Sequence, residues 1–288
     1  MSYTQTFMLY NGCMMKKQAY VLPNIITAFG LACGLFVIFK ASVIDTTTPL
    51  HHLLFTSVIL LLIAAVADMI DGALARVLSA ESEFGVMFDS LADAVSFGVA
   101  PSVVFLKSLT LEDNSSLTFF AFMAAMLYSI CGVLRLVRFN VNASMIKGDD
   151  LAIEAFKKNF TGLPIPAAAC CVVATNLFLH TYFKDVLTSF QMTLLLGLTY
   201  IFIGFLMVSK CKFMSLKTLR IKIDSYYLIF FSVTTAIFIL YGIFYYFSLV
   251  LFTLSWIYVV ISCLLTIARM IAPRRSSTLK DFDLDEDE

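Results

Sequence analysis

Residues 60–93 read LLLIAAVADMIDGALARVLSAESEFGVMFDSLAD. The first eight residues could lie inside a bilayer; the rest gather Asp68, Asp71, Asp89 and Asp93 around a single Arg76. Nothing at Ala67 stops a helix. DMIDGALARVL has no proline and is rich in helix formers, so the apolar helix is expected to run on to about Leu78 with its polar end at the interface. Asp68 and Asp71 are three apart and share one helix face. Asp89 and Asp93 are four apart and share a face of the next helix. The connection VLSAESEF is short, so the two helices are expected to be antiparallel neighbours whose four carboxylates converge.

The surroundings are those of a membrane protein. The chain has 288 residues, of which 60% are hydrophobic and 14% charged, with a mean hydropathy of +0.90. Soluble domains carry about 25% charged residues, so the composition excludes an ordinary soluble domain. The net charge of zero gives no footprint for nucleic acid, and no nucleic-acid partner is expected. The seven cysteines show no metal-binding or redox spacing and read as small apolar residues.

A helix crosses a bilayer in about 20 apolar residues. Eight spans are expected, giving an all-α polytopic bundle: Asn24–Ile44, Leu53–Ala67 with its extension, Val86–Leu106, Leu117–Leu136, Leu163–Phe183, Met192–Val208, Tyr226–Phe247 and Leu249–Ile271. Placing the N-terminus inside puts 17 of the 20 Lys and Arg on the inner side, all but Lys40, Lys107 and Lys184. The positive-inside rule then puts both termini, and the aspartate cluster with them, on the cytoplasmic face of the cell's inner membrane. Four regions are expected: an N-terminal extension at 1–14, a catalytic membrane core at 15–222, two further helices at 223–272, and an acidic, disordered cytoplasmic tail at 273–288.

Four converging carboxylates repel one another, and burial makes this worse. Hard divalent cations relieve the repulsion, and an all-carboxylate set suits Mg²⁺ or Mn²⁺ rather than Zn²⁺. Mg²⁺ sites commonly combine protein carboxylates with substrate phosphates, which points to a diphosphate ligand. Gly72 and Ala75 leave room for close approach, Gly85 stands at the entry to the third span, and Arg76 can reach a phosphate as a forked donor. A carboxylate-based cation transporter is the alternative from another class. It has no need of Gly72, Ala75 and Arg76 at fixed offsets.

The string Asp68-x2-Asp71-Gly72-x2-Ala75-Arg76-x8-Gly85-x3-Asp89-x3-Asp93 resembles the signature of the CDP-alcohol phosphatidyltransferases, position for position. The resemblance implies a six-helix membrane core holding two divalent metal ions. Asp68, Asp71 and Asp89 would hold the pair, with Asp68 and Asp89 bridging. Asp93 would bind one ion and act as general base. Gly72 and Arg76 would contact the CDP portion, and Ser82 the nucleotide.

The flanks LPNIITAFGLACGLFVI (22–38), FDSLADAVSFGVAPSVV (88–104), LRLVRFNV (134–141), FTGLPIPAAA (160–169) and LMVSKCKFMSLK (206–217) resemble the membrane-embedded, serine-accepting branch of that family. That implies CDP-diacylglycerol and L-serine as substrates, and phosphatidylserine and CMP as products. Glycerol 3-phosphate or an inositol phosphate is the alternative acceptor. The resemblance covers roughly Met15 to Lys217, with Val137 departing from the small residue expected there. Asn24 and Thr27, near the cytoplasmic end of the first span, either bind the CDP-lipid or serve as a helix cap and a packing threonine. Arg135 and Arg138 either recognise the serine carboxylate or a lipid phosphate, or are topology signals only. His51, His52 and His180 fall at the opposite ends of their spans, away from the aspartates. A homodimer is left open.

Overall fold

A computed structural model describes residues 3–43, 49–78, 82–109, 116–145, 160–209, 212–213, 242 and 245–271. The chain is a helical bundle: α1 (Tyr3–Val43), α2 (Leu50–Val77), α3 (Glu83–Asp93), a π-helical segment (Ala94–Val99), α4 (Ala100–Ser108), α5 (Ser116–Met145), α6 (Ile165–Tyr182), α7 (Ser189–Val208) and α8 (Phe247–Ile271). Two-residue strands β1 (Phe160–Thr161) and β2 (Lys212–Phe213) pair antiparallel beside the bundle. Among the described residues seven segments are long and apolar enough to cross a membrane, α3, the π-segment and α4 together making one of them. Of the eight expected spans, Tyr226–Phe247 lies outside the described residues except at its end, as do the acidic tail and the basic residues 210 and 217–222. The second span continues past Ala67 to Val77, with Leu78 closing it through an N–H bond to the Leu74 carbonyl.

The first helix departs from expectation. It does not start at Asn24 but passes through Pro23 without a break, so Asn24 lies within a helix and is no cap. Its inner face carries Thr27, Gly30, Gly34, Val37 and Ala41 at intervals of three and four. Small residues at such spacing let two backbones approach closely, which drives helix association where lipid is as apolar as any side chain. α1 uses this face twice. It packs along α2, with Gly30 against Ala64 and Ala67, and it packs on α3 and the π-segment, with Gly34 against Ser96. α2 and α3 themselves barely touch. The two spans are nonetheless neighbours: the π-segment and α4 touch α2, and at the polar ends Asp68 and Asp71 of α2 bring carboxylate oxygens to within 4.8 Å of Asp89 on α3, with α1 packed on both helices.

α6 is the centre of the bundle. Ile165, Ala168, Cys171, Val172, Ala174 and Leu177 are all buried, and they cover more than one side of the helix. A helix apolar all round is surrounded by its neighbours. α5 and α7 form a second tight pair, in which the Phe120 ring lies on Gly197 and Gly204 lies against Tyr128. The outward faces, with Phe29, Phe36 and Phe39 on α1 and Phe202 and Phe205 on α7, are exposed apolar surface suited to lipid.

The π-segment has a local cause. Pro101 has no N–H to give the Phe97 carbonyl four residues earlier. The Tyr128 hydroxyl donates to that carbonyl at 3.0 Å, and the Ser129 hydroxyl donates to the neighbouring Gly98 carbonyl at 2.9 Å. Buried carbonyls that lose a helical donor must find another, and here α5 supplies two.

Candidate active site

The four aspartates meet in one narrow recess, which Thr27 and Ser96 also line. Asp68, Asp71 and Asp89 each bring a carboxylate oxygen to within 4.8 Å of the other two. Asp93, one turn deeper on α3, lines the same recess beside that group. Each aspartate has a local reason to be there. Asp68 and Asp71 continue the inner stripe Leu61, Ala64, Ala67 of α2 beyond its apolar part, and Asp71 is only 4% exposed. Asp89 and Asp93 lie on the α3 face that looks across α1. The Thr27 hydroxyl, on α1, donates to the Asp71 carboxylate at 2.6 Å, with the Pro23 carbonyl 3.2 Å away on its own helix. Thr27 is thus more than a packing threonine; it fixes one carboxylate of the cluster.

Three hard oxygen donors this close together, with a fourth carboxylate alongside, fit a Mg²⁺- or Mn²⁺-type site. Nitrogen or sulfur ligands, which Zn²⁺ favours, do not enter it.

An open cleft of about 250 Å³ adjoins the recess and shares Thr27, Asp71 and Asp89 with it. Its other walls include Asn24, Gly72, Ala75, Arg76, Ser82 and Gly85. Every residue assigned from sequence to the CDP-lipid therefore lies on one cleft. A Cβ on Gly72 would meet nothing within 4 Å, so the position opens into the cleft. The Arg76 Nε donates to the Gly72 carbonyl at 2.8 Å, which holds the guanidinium along the cleft wall. Ser82 caps α3: its hydroxyl accepts from the Gly85 N–H at 3.0 Å. The α3 N-terminus then faces the cleft with the positive end of its dipole, a setting that favours anions.

A family model for CDP-alcohol phosphatidyltransferases matches residues 20–205, which include the whole recess and cleft. The chain belongs to this family. Among its relatives, the CDP-diacylglycerol–serine O-phosphatidyltransferase of Bacillus subtilis is 34% identical over 192 residues, covering 67% of this chain and 89% of that protein. The protein of the same name from Mycobacterium leprae is 38% identical over 154 residues, 53% of this chain and 45% of that protein. That from Helicobacter pylori strain J99 is 30% identical over 210 residues, 73% of this chain and 78% of that protein. The chain thus spans less than half the length of the mycobacterial relative and most of the other two.

Within this family member the two arginines of α5 part company. Arg135 lies close enough to Asp68 and Asp93 to interact with their charges. Arg138 turns the other way and donates from a terminal nitrogen to the Val208 carbonyl at 2.9 Å, at the last turn of α7. Gly162, at φ +86°, sits under that guanidinium, and a Cβ there would press on it and on the Met207 carbonyl. Sequence reasoning did not anticipate Ser96 against Gly34, or the link from the Asn140 amide to the Ser90 hydroxyl at 2.8 Å, which ties α5 to the helix carrying Asp89 and Asp93. Asn140 stands in the LRLVRFNV stretch and Ser96 in FDSLADAVSFGVAPSVV, so both lay in stretches already singled out, but nothing in the spacing of either pointed to its partner.

Proposed function

We propose that this protein transfers the phosphatidyl group of CDP-diacylglycerol to L-serine, releasing CMP. The observation that carries this reading is the shared wall of the recess and the cleft. Carboxylates suited to divalent metal stand directly beside a space lined by the signature residues Gly72, Ala75 and Arg76. The names of the three relatives support serine as the acceptor. Asp68, Asp71 and Asp89, with Asp93, would hold two Mg²⁺ or Mn²⁺ ions, which when bound would neutralise the diphosphate and the leaving CMP.

The chain's own residues carry the remaining roles. Asn24, Gly72, Ser82 and the α3 N-terminus receive the nucleotide end. Arg76 binds a phosphate oxygen and stays with CMP as it leaves. Asp93 takes the proton of the serine hydroxyl, whose oxygen attacks the phosphorus next to diacylglycerol; the bond from that phosphorus to the CMP oxygen breaks. Arg135 pairs with the serine carboxylate. Met69, Phe84, Met87 and Leu91 are exposed on the helices that carry the aspartates, so the acyl chains can stay in lipid while the head group reacts. The distribution of Lys and Arg supports a cytoplasmic site in the inner membrane, with both termini on that side.

The test is CMP release by the purified protein from CDP-diacylglycerol in mixed micelles. L-serine, glycerol 3-phosphate and an inositol phosphate are offered in turn, with and without EDTA. The expected result is metal-dependent release stimulated by L-serine alone. Stimulation by another acceptor overturns the serine assignment. Cation flux in proteoliposomes without any CMP release supports the transporter.

A further inference from the structure

α3 carries two of the four aspartates, yet packing does little to fix it. Of its 11 residues only Ala92 is buried. Phe84, Val86, Met87 and Leu91 are exposed. The helix rests on α1 and runs on into the π-segment; among the described residues it has no broad packing surface on α5. What joins it to α5 is a side-chain bond. The Asn140 amide donates to the Ser90 hydroxyl at 2.8 Å, across 50 positions of sequence. α5 meets the same rod at a second height, where Tyr128 and Ser129 donate to the Phe97 and Gly98 carbonyls. Residue numbers rise along α5 as they fall along the rod, so Asn140 is the tie nearer the polar end. α5 is itself well anchored: Tyr128 packs against Gly204 of α7, and Arg138 reaches the Val208 carbonyl at its last turn.

We infer that Asn140 is a positioning residue for the aspartate cluster: through Ser90 it sets the rotation of α3, and with it the reach of Asp89 and Asp93 toward Asp68 and Asp71. The inference rests on the reading of these carboxylates as ligands of divalent ions. Ser90 stands about 100° round the helix from Asp89 and about 60° from Asp93. A bond there opposes rotation about the helix axis, the motion that one buried alanine resists least. The lever is long. Carboxylate oxygens lie about 6 Å from the axis, so a turn of about 20° carries them roughly 2 Å. A site has to be held to about 0.5 Å, and Mg²⁺ demands near-ideal octahedral geometry. A small loss of restraint at Ser90 is therefore enough to loosen the three oxygens that Asp68, Asp71 and Asp89 bring together. Neither partner is needed to fill the core, since Ser90 and Asn140 are both only half-buried.

The experiment titrates Mn²⁺ into the purified full-length protein, with and without CDP-diacylglycerol, and reads the bound ion from the loss of the free-ion EPR signal. Wild type, Asn140→Leu, Ser90→Ala and the double variant are compared, with melting temperature and steady-state CMP release followed alongside. Asn140→Leu removes the donor at nearly constant volume. Ser90→Ala removes the acceptor from the other helix, so the test does not hang on one variant. The expected result is a Mn²⁺ dissociation constant about three- to tenfold higher in each single variant, the scale of one hydrogen bond. At saturating Mn²⁺ the KM values for L-serine and lipid stay unchanged. The double variant binds no more weakly than the weaker single one, because both substitutions break one bond. Additive losses overturn the inference, since the two side chains then act separately. Unchanged Mn²⁺ affinity with a lower melting temperature makes the bond a packing contact and overturns it. Unchanged Mn²⁺ affinity with a raised serine KM in Asn140→Leu places Asn140 on the acceptor and also overturns it. If wild type takes up no Mn²⁺ under either condition, the metal reading and the inference fall together; if wild type binds it and the variants bind as tightly, the inference falls alone.

Discussion

The cleft between α2 and α3 and the seam between α5 and α7 both have glycines in their walls, and the two regions use them in opposite ways. In the seam, the space that a side chain would occupy at Gly197 is taken by the Phe120 ring, and Gly204 brings α7 against the Tyr128 backbone. In the cleft, the same space at Gly72 is empty. One region uses a missing side chain to bring protein against protein; the other keeps room for something that is not protein. The polar groups divide in the same way. In the packed region they answer each other, as Tyr128 answers Phe97, Ser129 answers Gly98, and the Tyr200 hydroxyl answers the Pro101 carbonyl at 2.9 Å. In the recess four acids crowd together with one hydroxyl donor, Thr27, bonded to Asp71. The seam pairs these polar groups within the protein, whereas the recess gathers carboxylates that a bound cation would satisfy.

This contrast can be broken at either end. The largest effect is expected at Asp93. Asp93→Asn keeps the shape of the side chain and should leave expression and melting temperature near wild type, while serine-dependent CMP release falls by about 10²–10⁴-fold. Turnover near the wild-type rate would remove Asp93 from its role as base. Next comes the hydroxyl that steadies the cluster. Thr27→Val removes the donor to Asp71 at nearly constant volume. The divalent-ion concentration needed for half-maximal activity should rise by about 10–100-fold, the usual cost of losing an outer partner of a metal ligand. An unshifted titration curve would return Thr27 to plain packing.

The packed region should respond in stability and hardly at all in chemistry. Tyr128→Phe leaves the Phe97 carbonyl without its donor and should cost about 1–3 kcal/mol, read as a lower melting temperature in detergent, with the serine KM unchanged. A changed KM without a change in melting temperature would show that the two regions are not separable here. The smallest effect is expected from Arg138→Lys. The single charge can still reach the Val208 carbonyl, so a loss of under about 1 kcal/mol is expected, with both substrate KM values unmoved. A raised serine KM would return Arg138 to the acceptor site.

What the sequence reveals and what it hides follows from the range of each interaction. The spans were legible because each is a local run of apolar residues, and the convergence of Asp68 with Asp71 and of Asp89 with Asp93 followed from helical spacing. The five residues expected on the CDP-lipid, Asn24, Thr27, Gly72, Arg76 and Ser82, do share one cleft. The packing of α1 on both α2 and α3 was not legible. It depends on Gly34 meeting Ser96, a contact between distant residues that leaves no period in either segment. Helical spacing put Arg135 and Arg138 on one face, but long side chains diverge from a common face, and only the position of the α7 end shows where Arg138 goes.

The π-helical turn at Ala94–Val99 has an effect on how the rest of its span can vary. A π turn inserts about one extra residue into the helical count and rotates everything after it by roughly a quarter turn or more relative to a continuous α-helix. It works as a phase shifter. Upstream of it, the helix phase is set by the need to aim Asp89 and Asp93 at a shared recess. Downstream, Ala100, Val104 and Phe105 follow a different phase, set by burial in the bundle. One rod thus serves two alignments that a uniform helix would force to agree. Apolar residues beyond Pro101 can be exchanged, and the outer end of the bundle repacked, without rotating the aspartates out of register. The joint is held in place by two hydroxyls on α5 and by the glycine of α1 that leaves Ser96 its space.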